Sequence, residues 1–320
     1  MKIVVFGPDR RVGLWQGDRV IDVNKAVATH LGADKAARAP ANLLAYIEAG
    51  QEALDLTRAA AEKAGDDPSV SQPYAGTKIW APWPGRRVAC AGANNPQHIL
   101  NNLLNTGKEG TVEGVRTMLR KGAPSGFFKV PVEVAGPGDD ITYPARSTRF
   151  DYEAELAVIV GKRGKDIPKG KARDYVWGLT LANDWSDRDQ LVAQPFPISL
   201  NLMKNFDDCL TLGPCILVED GLDPDAVDGI RLTLNGQERQ NFSNRDSIFS
   251  FCEFVEYLTR DLSIVPGDVI LTGTGPGTAV DTSKWDGDRP LPDLFIKPGD
   301  VLEVSAPNIG SFQNKVVAKA

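Results

Sequence analysis

Histidine is scarce in this chain of 320 residues: there are two, His30 and His98. Histidine chemistry therefore has only two possible centres, and His30, inside a helical run, reads as a partly exposed structural residue. Cysteine numbers four (Cys90, Cys209, Cys215, Cys252), with no CxxC spacing among them. The CxxC signature of zinc sites and dithiol redox centres is therefore lacking. Their apolar surroundings fit reduced, buried thiols in a cytoplasmic protein. No apolar run approaches the ~18 residues needed to span a bilayer, so no membrane span is expected. The first apolar run, residues 3–6, is too short for a signal peptide and reads as a strand. Positive charge is not in excess: 36 Lys and Arg face 42 Asp and Glu, for a net charge of −6 and a pI near 5.2. That balance argues against nucleic acid or an anionic membrane as partner. Gly7 and Gly13 do not make the GxGxxG dinucleotide fingerprint.

What is present is a chain able to bury a sizeable core, with 42% hydrophobic and 24% charged residues. Residues 1–75 read as a small N-terminal α+β domain: short strands at 3–6, 12–15 and 19–22, then helices over 24–31 and 42–64. A Pro- and Gly-containing linker covers 66–85. The second domain, 76–320, has many short strands and few helices, so the fold class is α+β, predominantly β. A strand at 87–91 leads to Asn95 and Pro96, a good N-cap and first helical position, which puts His98 in the first turn of a helix. Residues 105–125, rich in Gly, Lys and Glu, read as a mobile segment or lid. Asn235-Gly236 between apolar alternations is a hairpin signal, and 247–262 reads as a helix.

The most informative stretch is 149–161, which reads as a strand covered on both faces. Side chains alternate along a strand, so Glu153 and Glu155 share one face with Ala157 and Ile159, their Cα atoms roughly 7 Å apart. Tyr152, Ala154, Leu156, Val158 and Val160 take the other face. An unpaired buried ion costs on the order of several kcal/mol. Two glutamates at the head of such a strand are therefore either solvated or held by a cation. All-oxygen ligands favour a hard one such as Mg²⁺, Mn²⁺ or Ca²⁺. A third acid, Asp184, stands at the end of the strand-like run 177–184.

In order along the chain, Asp151-Tyr152-Glu153-Ala154-Glu155-Leu156, Ala182-Asn183-Asp184, Ser186-Asp187-Arg188-Asp189, Lys204-Asn205-Phe206-Asp207, Leu212-Gly213-Pro214 and Leu271-Thr272-Gly273-Thr274 resemble the motifs of the fumarylacetoacetate hydrolase family. The resemblance covers about residues 83–320. It implies a mixed β-roll catalytic domain, a homodimer, and a divalent metal, Mg²⁺ or else Mn²⁺ or Ca²⁺. It also implies chemistry on a 2-oxo or 1,3-dioxo acid. Glu153, Glu155 and Asp184 match the metal ligands, and His98 the general base. Lys204 and Arg188 match groups facing the substrate's carboxylate and oxo oxygens, and Thr274 a substrate-binding position. The expected activity is hydrolysis of a C–C bond in an acylpyruvate-type or fumarylacetoacetate-type acid. The alternatives are a 2-oxo acid lyase (decarboxylase, hydratase or dehydratase) and a degenerate, non-catalytic binder of metal and acid.

The chain departs from the family pattern beside His98. A carboxylate often stands three residues on, where this chain has Asn101. Either Glu109 or Glu113 supplies the missing carboxylate, or the base is weaker, or the reaction differs. Gln190 precedes the usual glutamine position, which holds Leu191, and Asn95 replaces a common tyrosine. Segments 105–125, 190–201 and 281–292 are the least family-like and are expected to set specificity.

Overall fold

The computed structural model describes residues 1–193, 200–287 and 289–319. Segment 190–201 thus lies partly, and 281–292 at one position, outside the described residues. The chain opens with a meander of three strands, β1 (Lys2–Phe6), β2 (Arg11–Gln16) and β3 (Arg19–Asp22), followed by helices α1 (Val23–Leu31) and α2 (Gly50–Ala64). The single helix expected over 42–64 is broken. Leu43–Glu48 forms one short helix, and Gly50, at φ +64°, turns the chain at the first residue of α2.

The elements that place the site follow in order. They are β4 (Val88–Gly92), α3 (Pro96–Asn105), β5 (Ser125–Lys129), β6 (Ala154–Val160), β7 (Val176–Asp184), β8 (Leu210–Leu217), β9 (Ile230–Leu234), β10 (Gln237–Phe242), β11 (Val269–Leu271), α4 (Ala279–Thr282), β12 (Val301–Ala306) and β13 (Gly310–Val317). The large sheet runs Ser71–Pro73, β3, β2, β1, β8, β7, β6, β11, β4, β5, with Ile79–Trp80 also on β1. The N-terminal meander is therefore continuous with the sheet of the second half, and the Met1 ammonium donates to the Val218 carbonyl at 2.7 Å. Pairing is antiparallel throughout that sheet except between β11 and β4, which are parallel. A second sheet has the order β10, β9, β12, β13, Asp140–Thr142. Its β9–β10 hairpin turns at Asn235 and Gly236, φ +52° and +79°, the left-handed pair such a turn requires.

The alternation read from 149–161 sorts its side chains between two cores. Leu156, Val158 and Val160 pack with Ile230, Leu232, Val304 and Phe312 of the second sheet. Ala157 and Ile159 lie in the other core with Val27, Tyr46 and Ile47 of the N-terminal helices. Each buried aliphatic side chain contributes roughly 1.5–3 kcal/mol, so this strand is anchored from both faces. The strand is shorter than 149–161, however. Phe150–Asp151 forms its own ladder with Ser186–Asp187, and β6 starts only at Ala154.

Two further segments each carry one short helix. Residues 105–125 include the helix Val112–Leu119, whose Arg116 donates to the carbonyls of Ser247 and Asp246 at 2.8 and 2.9 Å. The helix expected over 247–262 is confined to Phe251–Leu258, started by a capping box of Ser250 and Glu253.

Candidate metal centre

Strand β6 lies between β7 and β11, and its register sets Glu155 opposite Ala182. Just before the strand, the Glu153 N–H donates to Asn183 Oδ1 and its carbonyl accepts from the Asp184 N–H, both at 2.9 Å. The end of β7 is thereby fixed against the start of β6. Glu153, Glu155 and Asp184 are all buried, and each offers an oxygen within 4.8 Å of the others.

Cations surround two of the three. Lys204 Nζ donates to Glu153 Oε2 at 2.5 Å and to Asp184 Oδ2 at 2.8 Å. Arg188 donates through Nε to Asp151 Oδ2 at 2.9 Å and through Nη2 to Glu153 Oε1. Buried Lys129 donates to Asp184 Oδ1. Glu155 has no cation of its own among the described residues; it accepts from the Gly273 N–H at 2.6 Å. Gly273 sits at φ +96°, and a Cβ there would come within 3.1 Å of the Asn94 Cβ. Only glycine brings that N–H onto the carboxylate without strain.

The electrostatics follow the partners. Burial would push Glu153 up, but the charges of Lys204 and Arg188 outweigh it and hold the carboxyl well below the usual range. Burial, reinforced by the charges of Asp184 and Glu153, pushes Glu155 well up. Lys204 and Arg188 are raised: burial lowers both, but Asp184 and Glu153 outweigh it at Lys204, and Glu153 and Asp151 at Arg188. The site thus has one carboxylate in excess of its protein cations. Three converging hard oxygens with one uncompensated donor fit a divalent ion of the Mg²⁺, Mn²⁺ or Ca²⁺ type.

His98 stands in the first turn of α3, where Asn95 Oδ1 accepts from the N–H groups of Gln97 and His98 at 3.0 and 3.1 Å. Its carboxylate partner is Asp281 of α4, with Nδ1 at 2.9 Å from Oδ2. Asp281 also accepts from Asn102 Nδ2 and from the Gly277 N–H, each at 2.9 Å. This corrects the expectation placed on Glu109 or Glu113, both of which are exposed. Asn101 is turned to Gln97 Nε2, from which it accepts at 2.7 Å. Burial lowers the His98 pKa, but the charge and hydrogen bond of Asp281, with Glu153, more than reverse this, so it is raised overall.

The Thr274 hydroxyl is engaged on the protein side. It donates to the Ala154 carbonyl and accepts from Gln240 Nε2, both at 2.9 Å. Gln240 Oε1 accepts from the Ala154 N–H at 2.9 Å, so these groups hold the glycine-rich loop to β6. His30 lies away from this cluster, 3.1 Å from Asp67.

Four contributors escaped the sequence reading: Lys129, Asp151, Gln240 and Asp281. Asp151 has no solvent exposure; besides Arg188 it accepts from the Ala279 and Val280 N–H groups at 2.8 and 3.2 Å, holding the turn that carries Asp281. Lys129 left one sequence signal, a lone charge closing the apolar run Phe127-Phe128 before Val130-Pro131.

The family model for fumarylacetoacetate (FAA) hydrolase, C-terminal, matches residues 87–317. A Xenopus laevis protein named oxaloacetate tautomerase fahd2, mitochondrial, is 30% identical over 99% of this chain and 90% of its own length. A solved fumarylacetoacetate hydrolase from Exiguobacterium antarcticum superposes with a TM-score of 0.75 at 26% identity, covering 100% of both chains. A maleylpyruvate hydrolase from Sphingobium sp. SYK-6, solved with manganese(II) and pyruvate, gives a TM-score of 0.72 at 22% identity over 100% of both chains, a likeness of fold.

Proposed function

The chain belongs to the fumarylacetoacetate hydrolase family, and on that premise we propose a divalent-metal-dependent enzyme that moves a proton beside the oxo group of a 2-oxo acid. Its net reaction is keto–enol tautomerisation. The observation that carries this reading is the sharing of Glu153: the same carboxylate closes the acidic trio, anchors Lys204 and Arg188, and raises the pKa of His98. A base, two cations and a metal-binding trio are thereby gathered at one buried point. The name of the Xenopus relative, which spans nearly the whole chain, supports tautomerisation.

In this reading His98 Nδ1 is occupied by Asp281, so Nε2 is the atom that accepts the proton from the carbon next to the oxo group. Asp281 stabilises the imidazolium that results. The electron pair left by that proton moves toward the oxo oxygen, where the Lys204 ammonium balances the growing charge, and the His98 imidazolium then gives the proton to that oxygen, which completes the enol and restores the neutral base. Arg188 faces the substrate's carboxylate. Glu153, Glu155 and Asp184 would hold the ion, Mg²⁺ in the first place, which when bound supplies Lewis-acid stabilisation of the enolate.

The test is oxaloacetate in D₂O with Mg²⁺ or Mn²⁺, followed by ultraviolet absorbance of the enol and by NMR. The expected result is metal-dependent interconversion and deuterium exchange at the carbon beside the oxo group, above the uncatalysed rate and abolished by EDTA. No acceleration with any 2-oxo acid would sink the reading. The second reading, C–C bond hydrolysis of a 2,4-dioxo acid, is favoured by the His98–Asp281 pair, which can take a proton from water as readily as from carbon. Two acid products from such a substrate would establish it, and CO₂ release would identify a decarboxylase.

The proposed assembly is a homodimer. Strand β5 ends the large sheet, and Phe128, Val130, Val132 and nearby Leu202 are 42%, 72%, 86% and 44% exposed. An edge strand flanked by such side chains is a surface that partners cover. Light scattering is expected to give twice the 34.6 kDa chain mass; the chain mass itself would count against the dimer. The four free, buried cysteines fit a reducing compartment such as the cytoplasm. No helix among the described residues is long and apolar enough to cross a membrane.

A further inference from the structure

Lys129, the last residue of β5, is 1% exposed and lies directly against the acidic trio. Its Nζ donates to Asp184 Oδ1, to the Lys204 carbonyl at 2.6 Å and to the Trp185 carbonyl at 3.4 Å. An ammonium has three N–H groups, so all are used. The backbone on either side is tied to the same place. The Val130 N–H donates to Asn205 Oδ1 at 2.6 Å, and Asn205 Nδ2 donates to the Phe128 carbonyl at 3.3 Å. Two lysines thus divide Asp184 between them, Lys129 on Oδ1 and Lys204 on Oδ2.

We infer that Lys129 is a positioning residue for the metal centre: by holding Oδ1 of Asp184 and the carbonyl of Lys204, it turns Oδ2 toward Glu153 and Glu155 and fixes where the Lys204 side chain starts. This role rests on the metal-centre reading above. Without Lys129 the Oδ1 of Asp184 loses its partner, and the carboxylate is free to turn away from the position in which Oδ2 meets Glu153 and Glu155. Outer partners of metal ligands act in this way, and losing one costs roughly 10–100-fold in metal affinity or activity.

The experiment titrates the full-length native protein and Lys129→Met with Mn²⁺, reading free and bound ion by EPR, beside steady-state kinetics. The expected result for Lys129→Met is Mn²⁺ affinity weakened by about 10–100-fold and a changed bound-Mn²⁺ line shape. The fall in kcat is expected to exceed the change in KM. Asn205→Ala, which removes the clamp on β5 but leaves Lys129 on Asp184, is expected to lower kcat while keeping Mn²⁺ affinity within about threefold. Where Lys129→Met does not fold, Lys129→Gln keeps one amide donor and takes its place, with a smaller loss in the same direction. Native-like affinity and line shape in a folded Lys129 variant would overturn the role and leave the metal centre standing. A native protein that binds no Mn²⁺ would overturn both.

Discussion

Glu155→Gln is expected to abolish divalent-metal binding and to lower turnover by about two to three orders of magnitude, the several kcal/mol that a Lewis acid supplies, while the metal-free protein stays at least as stable as the native one. The asymmetry among the three acids drives this expectation. Glu153 and Asp184 are each bonded to buried cations, whereas Glu155 meets only the Gly273 N–H. Burial and its acidic neighbours raise its pKa. A carboxyl raised in the folded state binds protons there more tightly than in the unfolded chain. Its contribution to stability is therefore lost as pH rises above the ordinary glutamate range, up to its folded pKa. Glutamine cannot ionise, so that slope disappears from Glu155→Gln. Saturating Mn²⁺ should remove it from the native protein by favouring the ionised form.

Glu153→Ala is expected to lose metal and activity as well, but at a cost in stability of about 3–5 kcal/mol, because it takes from buried Arg188 and buried Lys204 one of their two carboxylate partners, leaving them only Asp151 and Asp184. Calorimetric melts of the two metal-free variants across pH 5 to 8, with Mn²⁺ titrations at pH 7, separate the cases. A Glu155→Gln protein that still binds Mn²⁺ with native affinity would remove Glu155 from the ligand set. One that melts far below the native protein would refute the account of its uncompensated charge.

The contrast between these residues also shows what could be seen in the sequence. Strand alternation is a local rule, so the two glutamates on one face and the apolar side chains on either side were legible from residues 152–160 alone. Asp184 was legible as the polar end of a strand-like run. The helix start at Asn95-Pro96 and the Asn235-Gly236 turn were equally local, since both depend on backbone preferences of adjacent residues. What could not be read locally is who pairs with whom across the sheet. Asp281 lies 183 residues from His98, and no periodicity links a four-residue helix after a glycine-rich loop to the first turn of α3. Lys129 closes an edge strand, a position where lysine usually faces solvent; here it points inward because Asp184 and two carbonyls accept its protons. Segment 105–125 has a polar composition, but two hydrogen bonds from Arg116 to the carbonyls of Asp246 and Ser247 hold its helix in place. The break at Tyr152-Glu153, which carries the Glu153 carboxylate out of the β6 ladder, arises from the separate pairing of Phe150–Asp151 with Ser186–Asp187.

His98→Ala is expected to leave Mn²⁺ affinity within about threefold and to cut turnover by about 10²–10⁴-fold, the usual range for a positioned acid–base group. The metal affinity is spared because His98 touches none of the trio; its ring nitrogen is given to Asp281. Asp281→Asn gives the sharper test. The base must be neutral to accept a proton, so activity falls as pH drops through its pKa. That pKa is raised by Asp281, which outweighs the lowering by burial. The acid limb of kcat/KM in the native protein should therefore lie above the ordinary imidazole value of about 6.5. With the charge of Asp281 removed, burial prevails and the limb moves to lower pH. The maximal rate falls as well, because an imidazolium formed beside an amide is less stabilised than beside a carboxylate. An asparagine amide also cannot accept from both Asn102 Nδ2 and the Gly277 N–H while accepting from His98, so one of the three donors loses its partner. A pH–rate profile of Asp281→Asn that overlays the native one would detach Asp281 from the proton transfer. A His98→Ala variant of undiminished turnover would move the base elsewhere in the site.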